Sequence, residues 1–209
     1  MLLILDDLDK PTVEVAKDLF INKGTILAQP QCKIIFTVPT SLLYSGQYNV
    51  VKRSFGKPFI LPNFKIKEQN GERNHLAWRC MHEIAGRRLD KELIATQALD
   101  YAVEMSGGVV RELVRIIHSA ASRAVATNAN SIQQPHVEHA VDELRMEYSF
   151  SLTRQEYIDI LRQVHETKLL RSDDEKPLLD LLHNLFILQY PNGPGWYGVN
   201  PIVYKLIGV

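Results

Sequence analysis

At 209 residues, with 45% hydrophobic and 23% charged side chains, the chain has the composition of a globular protein of one or two domains. Its 24 basic and 24 acidic side chains cancel, which argues against a protein that grips nucleic acid or an anionic membrane by overall charge. No apolar run approaches the roughly 20 residues that span a bilayer, and the first residues lack the features of a signal peptide. Since Cys32 and Cys80 lack metal-ligand spacing, we expect reduced thiols and a cytoplasmic protein.

The chain opens on an apolar run, Leu2–Leu5, that leads directly into Asp6 and Asp7. A fully apolar run bounded by polar residues predicts a strand buried on both faces, as in a parallel sheet. Ligands of such sheets gather at the carboxyl ends of the strands. A carboxylate there can hold Mg²⁺ through water, and its neighbour can orient an attacking water. The alternative is a buried strand that ends in solvated aspartates.

An α/β pattern continues to residue 66. In order, it predicts a helix capped by Gly24 (12–20), a second buried strand (32–39), a loop (45–57) and a third strand (58–62). Thr37 lies at the end of the second strand, where its hydroxyl can face the same ligand or satisfy a strand-end backbone group. Three strands with few helices predict a partial sheet, either incomplete or completed by another chain.

From about residue 68 the pattern becomes purely helical. It predicts a lid-like bundle of four helices, at 74–88, 91–106, 109–127 and 136–146. Gly107 and Gly108 precede the third helix, and two glycines let backbone approach a ligand closely. Arg111 follows in the first turn, where a guanidinium can reach a phosphate. The alternative for this helix is a solvated basic stripe opposite its apolar face.

Residues 148–209 predict two further helices, up to residue 170 and from 173 to 184, and then a β-hairpin around Pro191–Gly195. Helices followed by a hairpin suggest a winged-helix domain. Its second helix would enter a DNA groove, yet residues 173–183 carry four acids and one lysine. Because recognition helices need cations against phosphate, DNA would be repelled.

The order of these features resembles the carboxyl-terminal part of a P-loop ATPase of the AAA+ or STAND type. Leu2–Asp7 is similar to a Walker B segment, the strand that ends at Thr37 to sensor 1, and Ser106–Arg115 to sensor 2. Asp7, where Glu is more usual, favours the STAND type. The resemblance implies that, once a Walker A loop is supplied, the catalytic residues are Asp6, Asp7 and Thr37. It implies that Asp6 holds Mg²⁺ through water. It also implies that ATP is contacted by Arg111, Gly107, Gly108 and Pro62.

One part of that family's pattern is missing from these residues. No G-x-x-x-x-G-K-[ST] occurs in the 209 residues. That loop supplies most of the phosphate cradle and a Mg²⁺ ligand. We therefore expect that the chain as given holds no cofactor and does not hydrolyse ATP. We expect either a truncated gene product or a first Met inside a longer reading frame, with the missing motif encoded roughly 60–100 residues before Asp6.

The predicted fold is mostly α. It comprises a partial α/β parallel sheet (1–66), an all-α helical lid (67–147) and a winged-helix domain (148–209). In complete form the protein would be an ATP-dependent signalling or assembly switch. For the chain as given we expect a protein partner or self-association through the exposed sheet edge, and no membrane. DNA is a possible partner that the acidic second helix of the winged-helix domain disfavours. The alternative function is a winged-helix regulator that binds DNA or protein.

Overall fold

The structure is a computed structural model, and it describes residues 1–172, 174–191 and 195–209. The chain is mostly helical, and a small parallel strand pair lies within its first 36 residues and precedes most of the helices, which confirms the predicted fold class. The strands are β1 (Leu2–Leu5), β2 (Lys33–Phe36), β3 (Ile187–Tyr190) and β4 (Trp196–Val199). The α-helices are α1 (Val13–Lys17), α2 (Gly24–Leu27), α3 (Tyr48–Phe55), α4 (His75–Gly86), α5 (Thr96–Met105), α6 (Val110–Ala126), α7 (Gln134–Ser151), α8 (Gln155–Thr167), α9 (Glu175–His183) and α10 (Tyr204–Ile207).

Packing divides the chain into two compact units, neither of which is continuous in sequence. The first unit joins Met1–Leu61 to Arg171–Phe186, and the second joins Pro62–Leu170 to Ile187–Val209. The sequence-based domain limits after residues 66 and 147 stay predictions.

In the first unit, β1 and β2 pair in parallel, with Leu2 opposite Lys33 and Leu5 opposite Phe36. The prediction of a buried β1 is wrong, because its four side chains are 38–64% exposed. β2 alternates between exposed and half-buried positions, so it is not a buried strand either. The reason is that the sheet has two strands and few helices to cover its faces, whereas parallel sheets are normally covered on both.

The predicted third strand at residues 58–62 is not formed. Pro58 and Pro62 bound this stretch, and proline has no N–H to donate to a strand ladder. Phe59 is 95% exposed and Leu61 is 87% exposed, so the apolar side chains that suggested a strand are not part of the core.

Three phenylalanines form the centre of the first unit. Phe20, Phe36 and Phe55 meet edge to face, with ring centroids 5.3–6.1 Å apart. Phe55 ends α3, a helix where the sequence was interpreted as a loop, and Val51 one turn earlier is also buried. The prediction for Gly24 is wrong as well. This glycine opens α2 instead of capping the preceding helix, which continues past Lys17 as a π-helical turn, Asp18–Asn22.

Helix α9 is tied to the rest of the first unit by one carboxylate. Oε1 of Glu175 accepts a hydrogen bond from Nζ of Lys17 at 2.7 Å, and Oε2 accepts one from the N–H of Gly46 at 3.0 Å. The Lys17 ammonium, followed by the Gly46 amide, lowers the pKa of Glu175. The preceding residue, Asp174, caps α9 by accepting from the N–H of Lys176, as its position before the helix predicts.

We expect Glu175→Gln to destabilise the first unit by up to about 1 kcal/mol at pH 7, a small value because the ion pair is partly exposed. A lowered carboxyl pKa contributes stability that is present above the ordinary pKa and is lost as the pH falls through the lowered one. Wild type and variant should therefore converge in acid. Amide hydrogen exchange of α1 and α9 against pH measures this, with Glu92→Gln on an exposed carboxylate as the control. A difference between wild type and Glu175→Gln that is as large in acid as at pH 7 would contradict this prediction.

The second unit is built on a helical core formed by α4, α5, α6 and α7. Two predicted boundaries need correction. α5 begins at Thr96 because a 3₁₀ turn, Lys91–Leu93, occupies the residues before it, and α7 runs to Ser151 instead of ending near residue 146. The largest fully buried side chains of this core are Met81, Leu113, Ile116 and Ile202.

The predicted hairpin is present in the same unit. β3 pairs antiparallel with β4, and Tyr190 lies opposite Trp196. Three residues of the predicted turn, Asn192–Pro194, lie outside the described residues, as does Asp173 before α9. Across the described ranges, no helix combines the length and the apolar character needed to cross a bilayer.

Candidate functional site

Parallel pairing brings the ends of β1 and β2 to one edge of the sheet. The N–H of Thr37 donates to the carbonyl of Leu5 at 3.1 Å, which extends the ladder one step past the strands. Oγ1 of Thr37 then accepts from the N–H of Leu8 at 3.0 Å, so the threonine hydroxyl holds the segment that follows β1. Asp6, Asp7 and Thr37 therefore lie at one edge, which we call the acidic strand edge.

A tight turn shapes the acidic strand edge. Asp7 has a φ of +66°, a left-handed conformation that Asp tolerates better than most residues. Its N–H donates to Oδ1 of Asp6 at 2.8 Å, and its own carboxylate pairs with Nζ of Lys10 at 2.7 Å. The hydrogen bond and charge of Asp7 raise the pKa of the Lys10 ammonium. The N–H groups of Asp7 and Leu8 both donate within the chain, so neither of these two amides is free to bind a phosphate.

The turn also gathers a third carboxylate. One oxygen from each of Asp6, Asp7 and Asp9 lies within 4.8 Å of the others, and all three residues are exposed. Carboxylates and water are the ligands that Mg²⁺ uses, so the chemistry of the group suits a divalent cation. Sequence reasoning missed Asp9, and its position two residues after Asp7 was the only available signal.

In the second unit, Gly107 and Gly108 form the turn before α6, with φ values of +59° and +82°. A Cβ added to Gly108 would lie 1.7 Å from the carbonyl oxygen of Phe64, and one added to Gly107 would lie 2.5 Å from Cδ1 of Leu188. The close approach that these glycines permit is therefore to the chain itself. Pro62 lies two residues before Phe64, whose N–H donates to the carbonyl of Gly108 at 3.0 Å.

Arg111 and Glu112 open α6 with opposite exposures. The side chain of Arg111 is 66% exposed, and its Nε lies 3.9 Å from Oε1 of Glu112. The side chain of Glu112 is 4% exposed, and its Oε2 accepts from the hydroxyl of Tyr148 at 3.2 Å. Burial, and then the Glu112 charge, raise the pKa of Tyr148. Arg115 lies 4.0 Å from Glu112 and pairs with Glu147, so Arg111 carries the more exposed guanidinium of the two.

A buried tyrosine connects the hairpin to the glycine turn. The hydroxyl of Tyr190 donates to the carbonyl of Gly107 at 2.7 Å, and its ring lies against Trp196 with centroids 4.5 Å apart. Burial raises the pKa of Tyr190, which keeps the hydroxyl a donor. Sequence reasoning missed the roles of Tyr190 and Glu112, because their partners lie far away in the chain or on another helix.

The structure thus brings the predicted site residues together in two groups. Asp6, Asp7 and Thr37 meet within the first unit, whereas Gly107, Gly108 and Arg111 form one turn of the second unit. Their roles toward a nucleotide stay predictions.

The fold and these two groups define a mostly helical protein with a parallel strand pair that ends in carboxylates. No protein-family model matches the chain, and no curated protein matches it significantly. Among solved structures it is similar to two variants of Thermotoga maritima RuvB, an arginine-to-alanine and a lysine-to-arginine variant, at 17% and 15% identity and TM-scores of 0.43 and 0.42. Each match covers 99% of this chain and 69% of the other. At these scores the likeness carries no conclusion about function.

Proposed function

We propose that the chain is the carboxyl-terminal part of an ATPase of the AAA+ or STAND type and that it contains half of a nucleotide site. The observation that carries the proposal is the parallel register of β1 and β2, which sets Asp6 and Asp7 beside Thr37. In this proposal β1 is the Walker B strand and β2 is the sensor 1 strand. ATP with Mg²⁺ would be the cofactor of the complete site.

The roles within the half-site follow from the chemistry of each group. Asp6 would hold Mg²⁺ through water, and Asp7 would orient the attacking water. The Thr37 hydroxyl would contact either the attacking water or the terminal phosphate. Arg111, exposed in the first turn of α6, would bind phosphate oxygens, because a guanidinium matches their geometry. Gly107, Gly108 and Pro62 would border the nucleotide.

The N–H groups of Asp7 and Leu8 are not free for a phosphate, and the 209 residues contain no G-x-x-x-x-G-K-[ST] phosphate loop. The negative carboxylates alone would repel the triphosphate unless Mg²⁺ and a cradle offset their charge. We therefore propose that the chain by itself does not hydrolyse ATP and acts through interaction with a protein partner or a second copy.

Calorimetric titration of the chain with Mg²⁺–ATP should give no saturable heat in the micromolar range. Micromolar binding of Mg²⁺–ATP by the 209 residues would contradict the proposal that the site is half complete.

The positive test is the reading frame upstream of Met1. If it encodes the phosphate loop, the longer protein should hydrolyse ATP, and Asp7→Asn should abolish this activity, whereas Asp9→Asn should not. ATP hydrolysis that persists in the Asp7→Asn variant would contradict the proposal that β1 is the Walker B strand.

Three further parts of the proposal concern the rest of the chain. The helical segment 67–147 would act as a lid, and residues 148–209 would form a winged helix. In the complete protein they would pass the nucleotide state on, as a signalling or assembly switch. We propose a cytoplasmic setting because both cysteines are free thiols.

The alternative is a winged-helix regulator that binds DNA or protein. The structure gives one observation that bears on the DNA branch. The apolar face of α9 is buried in the first unit, and the residues around it remain acidic, including Asp174, Glu175 and Asp180. A helix with these charges would be repelled by phosphates, which favours the protein-binding branch.

A further inference from the structure

A cavity of about 620 Å³ lies between α4 and α5 in the second unit, and no residue of the proposed half-site belongs to its lining. Sites for small organic ligands typically measure roughly 300–1,000 Å³, so the volume suits one such ligand. Neither the motifs of the sequence nor the proposed ATPase role accounts for this cavity.

The lining of the cavity combines an apolar floor with a cationic rim. The floor is made by Ala85, Ile94 and the half-buried Leu89 and Leu99. The rim contributes three cations and one carboxylate, namely Arg79, Arg87, Lys91 and Glu83. A ligand that matches this lining has an apolar body and a negatively charged group.

The charges at the rim are not neutralised by one another. Nε of Arg79 lies 3.8 Å from Oε1 of Glu83, and both side chains are more than 60% exposed, so this is a weak pair. No ion pair of Arg87 or Lys91 is recorded in the described part of the chain. His82 is engaged elsewhere, because its Nε2 lies 2.9 Å from Oδ1 of Asp100.

One residue of the lining has no structural reason to be what it is. Gly86 is the last residue of α4, its φ is not positive, and a Cβ added to it would meet no atom within 4 Å. Glycine in a helix costs roughly 0.5–1 kcal/mol relative to alanine. The glycine thus provides neither a turn nor a close contact within the fold, and it lies in the lining of the cavity, where a large side chain would take up part of the volume.

We propose that this cavity binds a small organic anion, with the apolar body on the floor and a phosphate or carboxylate group at Arg87 and Lys91. Because the cations and the apolar residues line the same cavity, one molecule can carry both the apolar body and the anionic group. Phosphate and carboxylate share the chemistry that these residues recognise, and the experiment below separates them.

The test is to titrate the full chain with 1-naphthyl phosphate and, separately, with 1-naphthoate, and to measure the heat of binding by calorimetry. We expect saturable one-to-one binding of at least one anion, and binding at least tenfold weaker for the neutral 1-naphthylmethanol. The tighter of the two anions identifies the charged group. No saturable binding of either anion, or equal binding of the neutral probe, would overturn the proposal.

Gly86 allows a matched pair of variants. Gly86→Phe should fill the cavity and weaken anion binding at least tenfold, whereas Gly86→Ala should leave binding within about twofold and raise the melting temperature. The double variant Arg87→Gln, Lys91→Gln should weaken binding at least tenfold with the fold unchanged, and Arg88→Gln, which is not part of the lining, should not. If Gly86→Phe does not fold, the comparison of the Arg87→Gln, Lys91→Gln double variant with Arg88→Gln tests the proposal. Binding that is unchanged in a folded Gly86→Phe or in the double variant would place the ligand elsewhere.

Discussion

Replacing Gly108 by alanine is expected to destabilise the second unit by about 2–5 kcal/mol. Two effects add. Its φ of +82° costs an L-residue about 1–2 kcal/mol, and the new Cβ would lie 1.7 Å from the carbonyl oxygen of Phe64. Because that neighbour is backbone, the overlap is relieved only by moving the segment whose N–H donates to the Gly108 carbonyl. Both tryptophans, Trp78 and Trp196, belong to the second unit, so urea unfolding followed by tryptophan fluorescence measures this effect directly.

Gly71→Ala is the matched control. Gly71 lies in the same unit with a φ of +89°, yet a Cβ there would meet nothing within 4 Å. It should therefore show the conformational cost alone, about 1–2 kcal/mol. A Gly108→Ala effect no larger than that of Gly71→Ala would mean that the Phe64 segment moves away freely, and the described contact would then be unimportant for stability.

The second large effect is expected from Tyr190→Phe, at about 1–3 kcal/mol. The substitution keeps the ring against Trp196 and removes only the hydroxyl, which leaves the Gly107 carbonyl without its 2.7 Å donor in a buried place. A buried polar group that loses its partner costs its full desolvation. Urea unfolding followed by fluorescence again gives the value. Since Trp196 contacts the mutated ring, its emission in the folded state is compared first to confirm that the ring has not moved.

Tyr101→Phe tests the same chemical change within the second unit, where the two tryptophans report unfolding. Tyr101 is half-buried against the helical core, and its hydroxyl makes no hydrogen bond within the described residues. Its loss should change stability by less than about 0.5 kcal/mol. A Tyr190→Phe effect as small as this would show that water replaces the tyrosine hydroxyl at Gly107.

The local elements could be predicted where short-range patterns decide them. The apolar run before Asp6, the strand before Thr37 and the hairpin strands around Pro191 were all expected, because alternation, β-branching and turn residues act within a few positions. Helix α3 was missed, although Tyr48, Val51 and Phe55 have helical spacing.

Burial and tertiary partners were harder to predict. The apolar character of β1 was taken for burial, but exposure depends on which strands and helices lie beside it, and these come from elsewhere in the chain. In the same way, the neighbours of the two glycines before α6 within the fold could not be predicted from the sequence around them. Their actual neighbours, Phe64 and Leu188, lie about 40 and 80 residues away, a separation that no local pattern can bridge.

The discontinuity of the first unit has a consequence for how the protein forms on the ribosome. Glu175 holds α9 to Lys17 and Gly46, so the segment Met1–Leu61 leaves the exit tunnel long before its last packing partner is synthesised. Until Arg171–Phe186 emerges, the nascent chain exposes the surface that α9 later covers, in addition to the bare faces of β1. The second unit waits in the same way for its hairpin. Neither unit can therefore complete its packing before residues after 170 have been synthesised.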